Sequence, residues 1–221
     1  MNDMRTDPAI ARAHMRSHMV DSQVRPNQVS DPRVIAAMRA LPREDFAPPG
    51  SRPYADADIP LGNGRFMLAP LAIARLVQLV LAGAPKTVLV IGAGAGYGAA
   101  LLAMAGATVT ALESDPSLDT GALARHAPAV NRITGKLAAG DPRAAPYDAI
   151  FIEGAVSRLP ENLAAQLAPG GRLVTVLAGQ GRGPGAAVAA EASGQNFAAA
   201  KKFDVSAKII PDFLSAPAFV F

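Results

Sequence analysis

The chain has 221 residues, enough for one α/β domain with a sizeable core and too few for two ordinary domains plus a linker. Half of the residues are hydrophobic but only 5% are aromatic, so the core should be built mainly from Val, Leu, Ile and Ala. The net charge of +3 is dispersed, with Lys201-Lys202 as the longest basic run and no aromatic interleaving, which argues against a nucleic-acid surface. The lack of cysteine excludes disulfides, thiolate nucleophiles and cysteine-bound metals.

At the N-terminus no apolar run follows Asp3, Arg5 and Asp7, so no secretory signal is expected and a cytoplasmic location follows. Residues 9–24 read as a helix. His14 and His18 stand four apart on it, a spacing that can grip a metal, yet no Glu lies between them and no third ligand is evident. They are read as a solvated or capping pair, with no metal. Ser30-Asp31-Pro32 starts a second helix, with Ser or Asp capping and Pro32 in the first turn. Residues 41–60 hold five prolines and the acids Asp56 and Asp58, and should be irregular, the kind of segment that carries binding surfaces. A helix then runs over residues 70–84. The apolar window 67–84 is broken by Pro70, Arg75 and Gln78, which fits a buried helix better than a membrane span.

From Thr87 the rhythm changes to strand, loop, helix. Strands are expected at residues 87–91, 108–112, about 136–139, 148–153 and 172–177, and helices at 97–105, 117–126 and 159–167. This alternation predicts an α/β fold with a doubly wound parallel sheet and ligands at the strand C-termini. Residues 179–185 form a Gly-rich loop, and 197–205 and 209–221 read as edge strands that could pair antiparallel. The expected organisation is an N-terminal helical cap and substrate-site segment, residues 1–84, joined to a ligand-binding core, residues 85–221, in one compact unit.

Val88-Leu89-Val90-Ile91 ends in Gly92-Ala93-Gly94-Ala95-Gly96, and Glu113 closes the next strand. Glycine suits such a loop because the chain must turn with positive φ and let its backbone approach a ligand. The pattern is GxGxG. A dinucleotide fingerprint would need glycine where Tyr97 stands, which argues against a nicotinamide enzyme. GxGxG with an acid at the end of the second strand suggests S-adenosylmethionine, the loop passing its methionine part and the acid accepting from ribose hydroxyls.

Met19-Val20-Asp21-Ser22-Gln23-Val24-Arg25, Ser30-Asp31-Pro32-Arg33-Val34 and Leu41-Pro42-Arg43-Glu44-Asp45-Phe46-Ala47-Pro48 closely resemble the opening of protein-L-isoaspartate O-methyltransferases. The resemblance continues through Asp58, Pro60-Leu61-Gly62-Asn63-Gly64, Ala69-Pro70, the glycine loop, Gly140-Asp141 and Gln166-Leu167-Ala168-Pro169-Gly170-Gly171, covering residues 12–178. It implies a Rossmann-like class I methyltransferase fold, a doubly wound, mostly parallel seven-stranded sheet with an N-terminal helical cap over the substrate site, and S-adenosylmethionine as cofactor. Carried over by position, Gly92, Ala93, Gly94 and Gly96 would line the methionine end, Glu113 with Ser114 would take the ribose, and Gly140-Asp141 would approach the adenine; from the residues alone that last pair is equally a turn after a short strand. The implied reaction is methylation of a carboxylate on isoaspartyl residues of a protein or peptide. From composition and patterning, neither nucleic acid nor membrane is an expected partner, and the residues leave monomer and homodimer equally open.

Two departures bear on the acceptor. Repair members carry Thr-Ile-Ser before Ala-Pro, the serine hydroxyl being associated with the substrate carboxylate. Here Phe66-Met67-Leu68 stand there, preceded by Arg65 instead of glutamine. Removing a donor to a charged oxygen costs about 1.5–3 kcal/mol. Arg65 either compensates by two-pronged binding of a carboxylate or is a surface arginine. Glu153, at the end of the fourth predicted strand, is either a base or anchor for a hydroxyl- or amine-bearing acceptor, or a helix cap or partner of Arg158. Asp58, Arg65 and Glu153 are thus the catalytic candidates, with Leu68 in the serine position. Two further readings are the same cofactor with a small molecule or other peptide as acceptor, and a non-catalytic S-adenosylmethionine-binding module.

Overall fold

The computed structural model describes residues 7–179, 183–194 and 196–214. α1 (Pro8–Met19) begins where the Asp7 carboxylate accepts from the Ala9 amide at 2.9 Å and Pro8 fills the first turn. The helix expected to residue 24 changes character after Met19. Val20–Val24 widens into a π turn and Arg25–Asn27 tightens into a 3-10 turn, as Pro26 has no N–H with which to continue the ladder. α2 (Pro32–Ala40) is capped by Asp31, which accepts from the Arg33 amide at 2.9 Å, and buries Val34, Ala37 and Met38.

The proline-rich stretch is irregular except for the single turn α3 (Arg43–Phe46) and for the start of a two-stranded hairpin, β1 (Ile59–Gly62) with β2 (Arg65–Met67). α4 (Pro70–Leu81) is buried on most sides through Ile73, Ala74, Leu76, Val77 and Val80. It ends before residue 84, where Ala84 turns the chain at φ 47°. No described helix is long and apolar enough to cross a membrane.

The core alternates β3 (Thr87–Ile91), α5 (Tyr97–Met104), β4 (Thr108–Glu113), α6 (Ala122–His126), β5 (Asn131–Thr134), β6 (Tyr147–Val156) and β7 (Leu167–Leu177), followed by β8 (Gly185–Ser193) and β9 (Asn196–Val205). These form a seven-stranded sheet in the order β5-β4-β3-β6-β7-β8-β9. Pairings from β5 to β7 are parallel, whereas β8 runs antiparallel to both β7 and β9. The chain moves outward from β3 to β5 and then returns to β6 on the other side of β3. A crevice is therefore required at the carboxyl ends of β3 and β6, where the helical connections diverge.

Several expected elements differ. The strand placed at 136–139 is a 3-10 turn, Leu137–Ala139, and the third strand is the half-exposed β5. The helix placed at 117–126 is split into Pro116–Leu118 and α6, because Gly121 takes φ 71° between them. The one at 159–167 is a 3-10 run, Glu161–Gln166, held by side chains reaching the preceding turn: Asn162 donates to the Ala138 carbonyl at 2.6 Å and Gln166 to Ala139 at 2.8 Å. β9 pairs with β8, not with a strand at 209–221; Ile209 makes one parallel bridge to Ala155, Pro211–Phe213 is a 3-10 turn, and residues 215–221 lie outside the described residues.

Alternate side chains of the sheet feed two apolar clusters. One packs Met38, Phe46, Ile73, Tyr97, Leu101 and Phe151 together, so the N-terminal helices share a core with the sheet. The other gathers Ile91, Ile152, Leu163, Ile210 and Phe213 on the opposite face. Phe46 joins cap to core, with its ring 5.5 Å from Tyr97 and 5.9 Å from His126. Phe46→Ala should lower the unfolding free energy by about 3–5 kcal/mol, measured by urea denaturation followed by circular dichroism.

Candidate active site

β3 is buried over Val88–Ile91 and delivers the chain to residues 92–96 at the sheet edge. Gly92, Gly94 and Gly96 hold φ of 71°, 54° and 92°, a left-handed region that side chains resist. The Gly92 and Ala93 amides donate to the Leu112 carbonyl at 2.9 and 3.2 Å, seating the loop against the end of β4. There Glu113 is 1% exposed. Its Oε2 accepts from the Gly94 amide at 2.8 Å, and its Oε1 from the amides of Ser114 at 2.7 Å and Asp115 at 3.2 Å. A buried carboxylate fixed this way carries only acceptors, which suits a ribose diol, while the space over the glycines is filled by Ile210 against Gly92, Leu61 against Gly94 and Leu123 against Gly96. These donors and acceptors fit the nucleoside and methionine parts of S-adenosylmethionine.

Arg65 goes to the same place. It is only 6% exposed, with Nε donating to Glu113 at 3.2 Å and Nη2 to the Ser114 hydroxyl at 2.9 Å and to Asp212 at 2.6 Å. The surface reading of Arg65 is therefore corrected, and in this conformation its guanidinium is committed to internal partners rather than to a substrate carboxylate. Leu137, at the head of the turn that leads to Gly140, packs over Gly92. Asp141 is buried and accepts from the Tyr147 hydroxyl at 3.0 Å, while its amide donates to Gln166 at 2.9 Å. Burial, followed by the Asp141 bond, pushes the Tyr147 hydroxyl up to about 12.

The remaining candidates gather around Arg43, a residue the sequence reading did not single out although it lies in the Leu41–Pro48 block. Arg43 is 0% exposed. Its Nε donates to the Pro53 carbonyl at 2.7 Å, its Nη2 to the Leu68 carbonyl at 2.5 Å, and its guanidinium lies 4.8 Å from the Tyr97 ring centre. Burial draws its pKa below the ordinary value, opposed by Tyr97, Glu153 and Asp58. Asp58 accepts from the Ala69 amide at 2.8 Å, and burial raises its carboxyl. Leu68 is buried, so the position that carries a hydroxyl in repair members presents neither donor nor open space.

Glu153 lies on the face of β6 that looks toward α5 and is 6% exposed. It packs on Gly98, where any side chain would collide with its carboxylate. It neither caps the following segment nor forms an ion pair with Arg158 among the described residues. Burial pushes its carboxyl up to about 8, against the Gly98 amide and the Arg43 charge and with a smaller push from Glu113. Glu153 Oε2, Arg43 Nη1 and the Tyr97 hydroxyl have no hydrogen-bond partner among the described residues, marking a buried polar cluster beneath the cap. Around neutral pH the Glu153 carboxyl holds its proton and can donate.

The switch-point crevice, the left-handed glycine loop and the acid that closes β4 define a Rossmann-like methyltransferase. The chain belongs to the family described as protein-L-isoaspartate(D-aspartate) O-methyltransferase, whose model matches residues 14–198. It is 40% identical over 175 residues to a protein-L-isoaspartate O-methyltransferase of Methylorubrum extorquens, covering 77% of each chain. It is 42% identical over 164 residues to one of Rhodopseudomonas palustris, covering 71% of this chain and 74% of that one. Among solved structures, one from Plasmodium falciparum described as a protein-L-isoaspartate O-methyltransferase in complex with S-adenosyl-L-homocysteine superposes with a TM-score of 0.75 at 18% identity. It covers 89% of this chain and 98% of its own, a likeness of fold.

The raised Glu153 carboxyl has a consequence for stability. Its folded value of about 8 exceeds the ordinary 4.5, so between those limits the folded chain keeps a proton that the unfolded chain has lost. Stability should fall by up to roughly 1.4 kcal/mol per pH unit across that window and level off above it. Glu153→Gln should abolish this slope, read by urea denaturation at a series of pH values from acid to mildly alkaline.

Proposed function

We propose that the chain is an S-adenosylmethionine-dependent methyltransferase that transfers a methyl group to the carboxylate of isoaspartyl residues in proteins or peptides. The observation that carries this reading is Glu113, buried at the end of β4 and bonded at 2.8 Å to the amide of Gly94 in the glycine loop, in a chain of this family. When bound, S-adenosylmethionine supplies a methyl group activated by its sulfonium. Gly92, Ala93, Gly94 and Gly96 line the methionine end, Glu113 and Ser114 receive the ribose hydroxyls, and Gly140-Asp141 flanks the adenine. A carboxylate acceptor, with a reference pKa near 4, is already ionised at neutral pH and requires no general base. The residues therefore act by positioning and by excluding water, which suits an apolar wall that includes Leu68.

A second reading keeps the cofactor and changes the acceptor. It is favoured by Leu68, which offers no hydroxyl, and by Glu153, whose proton-holding carboxyl lies under the cap beside Arg43. The test is transfer of labelled methyl to an isoaspartyl peptide, with the aspartyl peptide as control. Isoaspartyl-specific, base-labile labelling is expected, and Leu68→Ser should raise kcat/KM by roughly ten-fold or more if the hydroxyl recovers its charged hydrogen bond. Cofactor binding with no labelling of either peptide by the wild type or Leu68→Ser would favour the second reading.

A further inference from the structure

Two segments remote in sequence close the crevice over the glycine loop. From one side comes the β1–β2 hairpin: Leu61 stands so close to Gly94 that a Cβ there would meet it at 2.9 Å, and Asn63 donates to Asp115 at 2.6 Å. From the other side comes the segment 208–213. It is laid along the end of β6, with the Ala155 amide donating to Lys208 at 3.0 Å, the Ile210 amide to Ala155 at 2.9 Å and the Ser157 amide to Phe213 at 3.3 Å. The Ile210 side chain is buried, and a Cβ on Gly92 or Gly154 would strike it at 2.8 or 2.6 Å. Pro211 packs on Gly64, so hairpin and segment also touch each other.

Arg65 connects them. It extends from the hairpin, bonds the acid that would take the ribose, and reaches on to Asp212 in the segment. Segment 208–213 also lines two clefts. A cleft of about 460 Å³ lies against Gly64, Phe66, Lys208 and Pro211, and another of about 720 Å³ against Ala138, Arg158, Asn162 and Asp212.

We propose that residues 208–213 are a strap latched by Arg65 across the cofactor crevice, so that Arg65 and Ile210 occupy the ribose and loop positions until S-adenosylmethionine displaces them. The inference rests on the cofactor site assigned above. Entry of the cofactor exchanges the Arg65–Glu113 bond for ribose hydroxyls and lifts Ile210 from Gly92. Affinity is then reduced by the fraction of molecules in which the strap is shut.

The test uses S-adenosylhomocysteine, which has no methyl to transfer, with hydrogen exchange read by mass spectrometry on the whole chain and calorimetric titration of wild type, Asp212→Asn and Ile210→Ala. The product should speed exchange at the Ala155, Ser157 and Ile210 amides, and each variant should bind it about three-fold or more tightly than wild type. Binding by the variants alone would support the strap equally. Binding to wild type with exchange at those amides unchanged or slowed would overturn the strap and leave the methyltransferase reading intact. No binding by wild type or either variant would overturn both. Where affinity and exchange disagree, exchange in the wild type decides, and it also does so if a variant fails to fold.

Discussion

The Glu113 carboxylate sets the geometry on which the crevice depends. Removing a charge from water is costly, and it is tolerated here because both oxygens accept hydrogen bonds from groups whose positions the sheet already determines. The Gly94 amide comes from the loop after β3, the Ser114 and Asp115 amides from the chain after β4, and Arg65 from the hairpin. The acid therefore ties neighbouring strand ends together and holds the loop in its left-handed turns. In the proposed function it would also supply the acceptors for the cofactor's ribose, so that stabilisation and binding would use the same atoms. In the strap proposed above, Arg65 is the partner on Glu113 that those ribose hydroxyls would replace.

Arg43 performs the corresponding task on the cap side. It has no exposure and is held by the carbonyls of Pro53 and Leu68 and by the face of Tyr97. Those contacts connect the irregular proline-rich stretch, the residue that follows β2 and the first turn of α5. Glu153 sits beneath the same turn and keeps its proton around neutral pH. The two departures from the repair pattern, Leu68 and Glu153, thus meet at one buried arginine.

The features legible in the sequence were those encoded by neighbouring residues. Val88–Ile91, the glycines after them and Glu113 form one local pattern, and strand, loop and acid are found as read. The Asp31-Pro32 start signal likewise produces its helix. β8 was missed because Gly185–Ser193 is mostly alanine, with little β-propensity of its own, and is a strand only between two partners. β5 is half-exposed and begins with Asn131-Arg132, so it lacks an apolar run. The Arg65 network could not be read because Arg65 and Asp212 stand 147 residues apart and meet only once the sheet has placed both at its carboxyl edge. A buried arginine and a surface arginine look alike in a string of letters.

The most direct test is a crystal structure of the protein with S-adenosylhomocysteine. The expected result has the ribose hydroxyls within hydrogen-bonding distance of Glu113, the amino-acid end along residues 92–96, and both Arg65 and Ile210 moved from the positions they hold here. A ligand bound away from Glu113, or bound there with Arg65 still on the carboxylate and Ile210 still against Gly92, would contradict it.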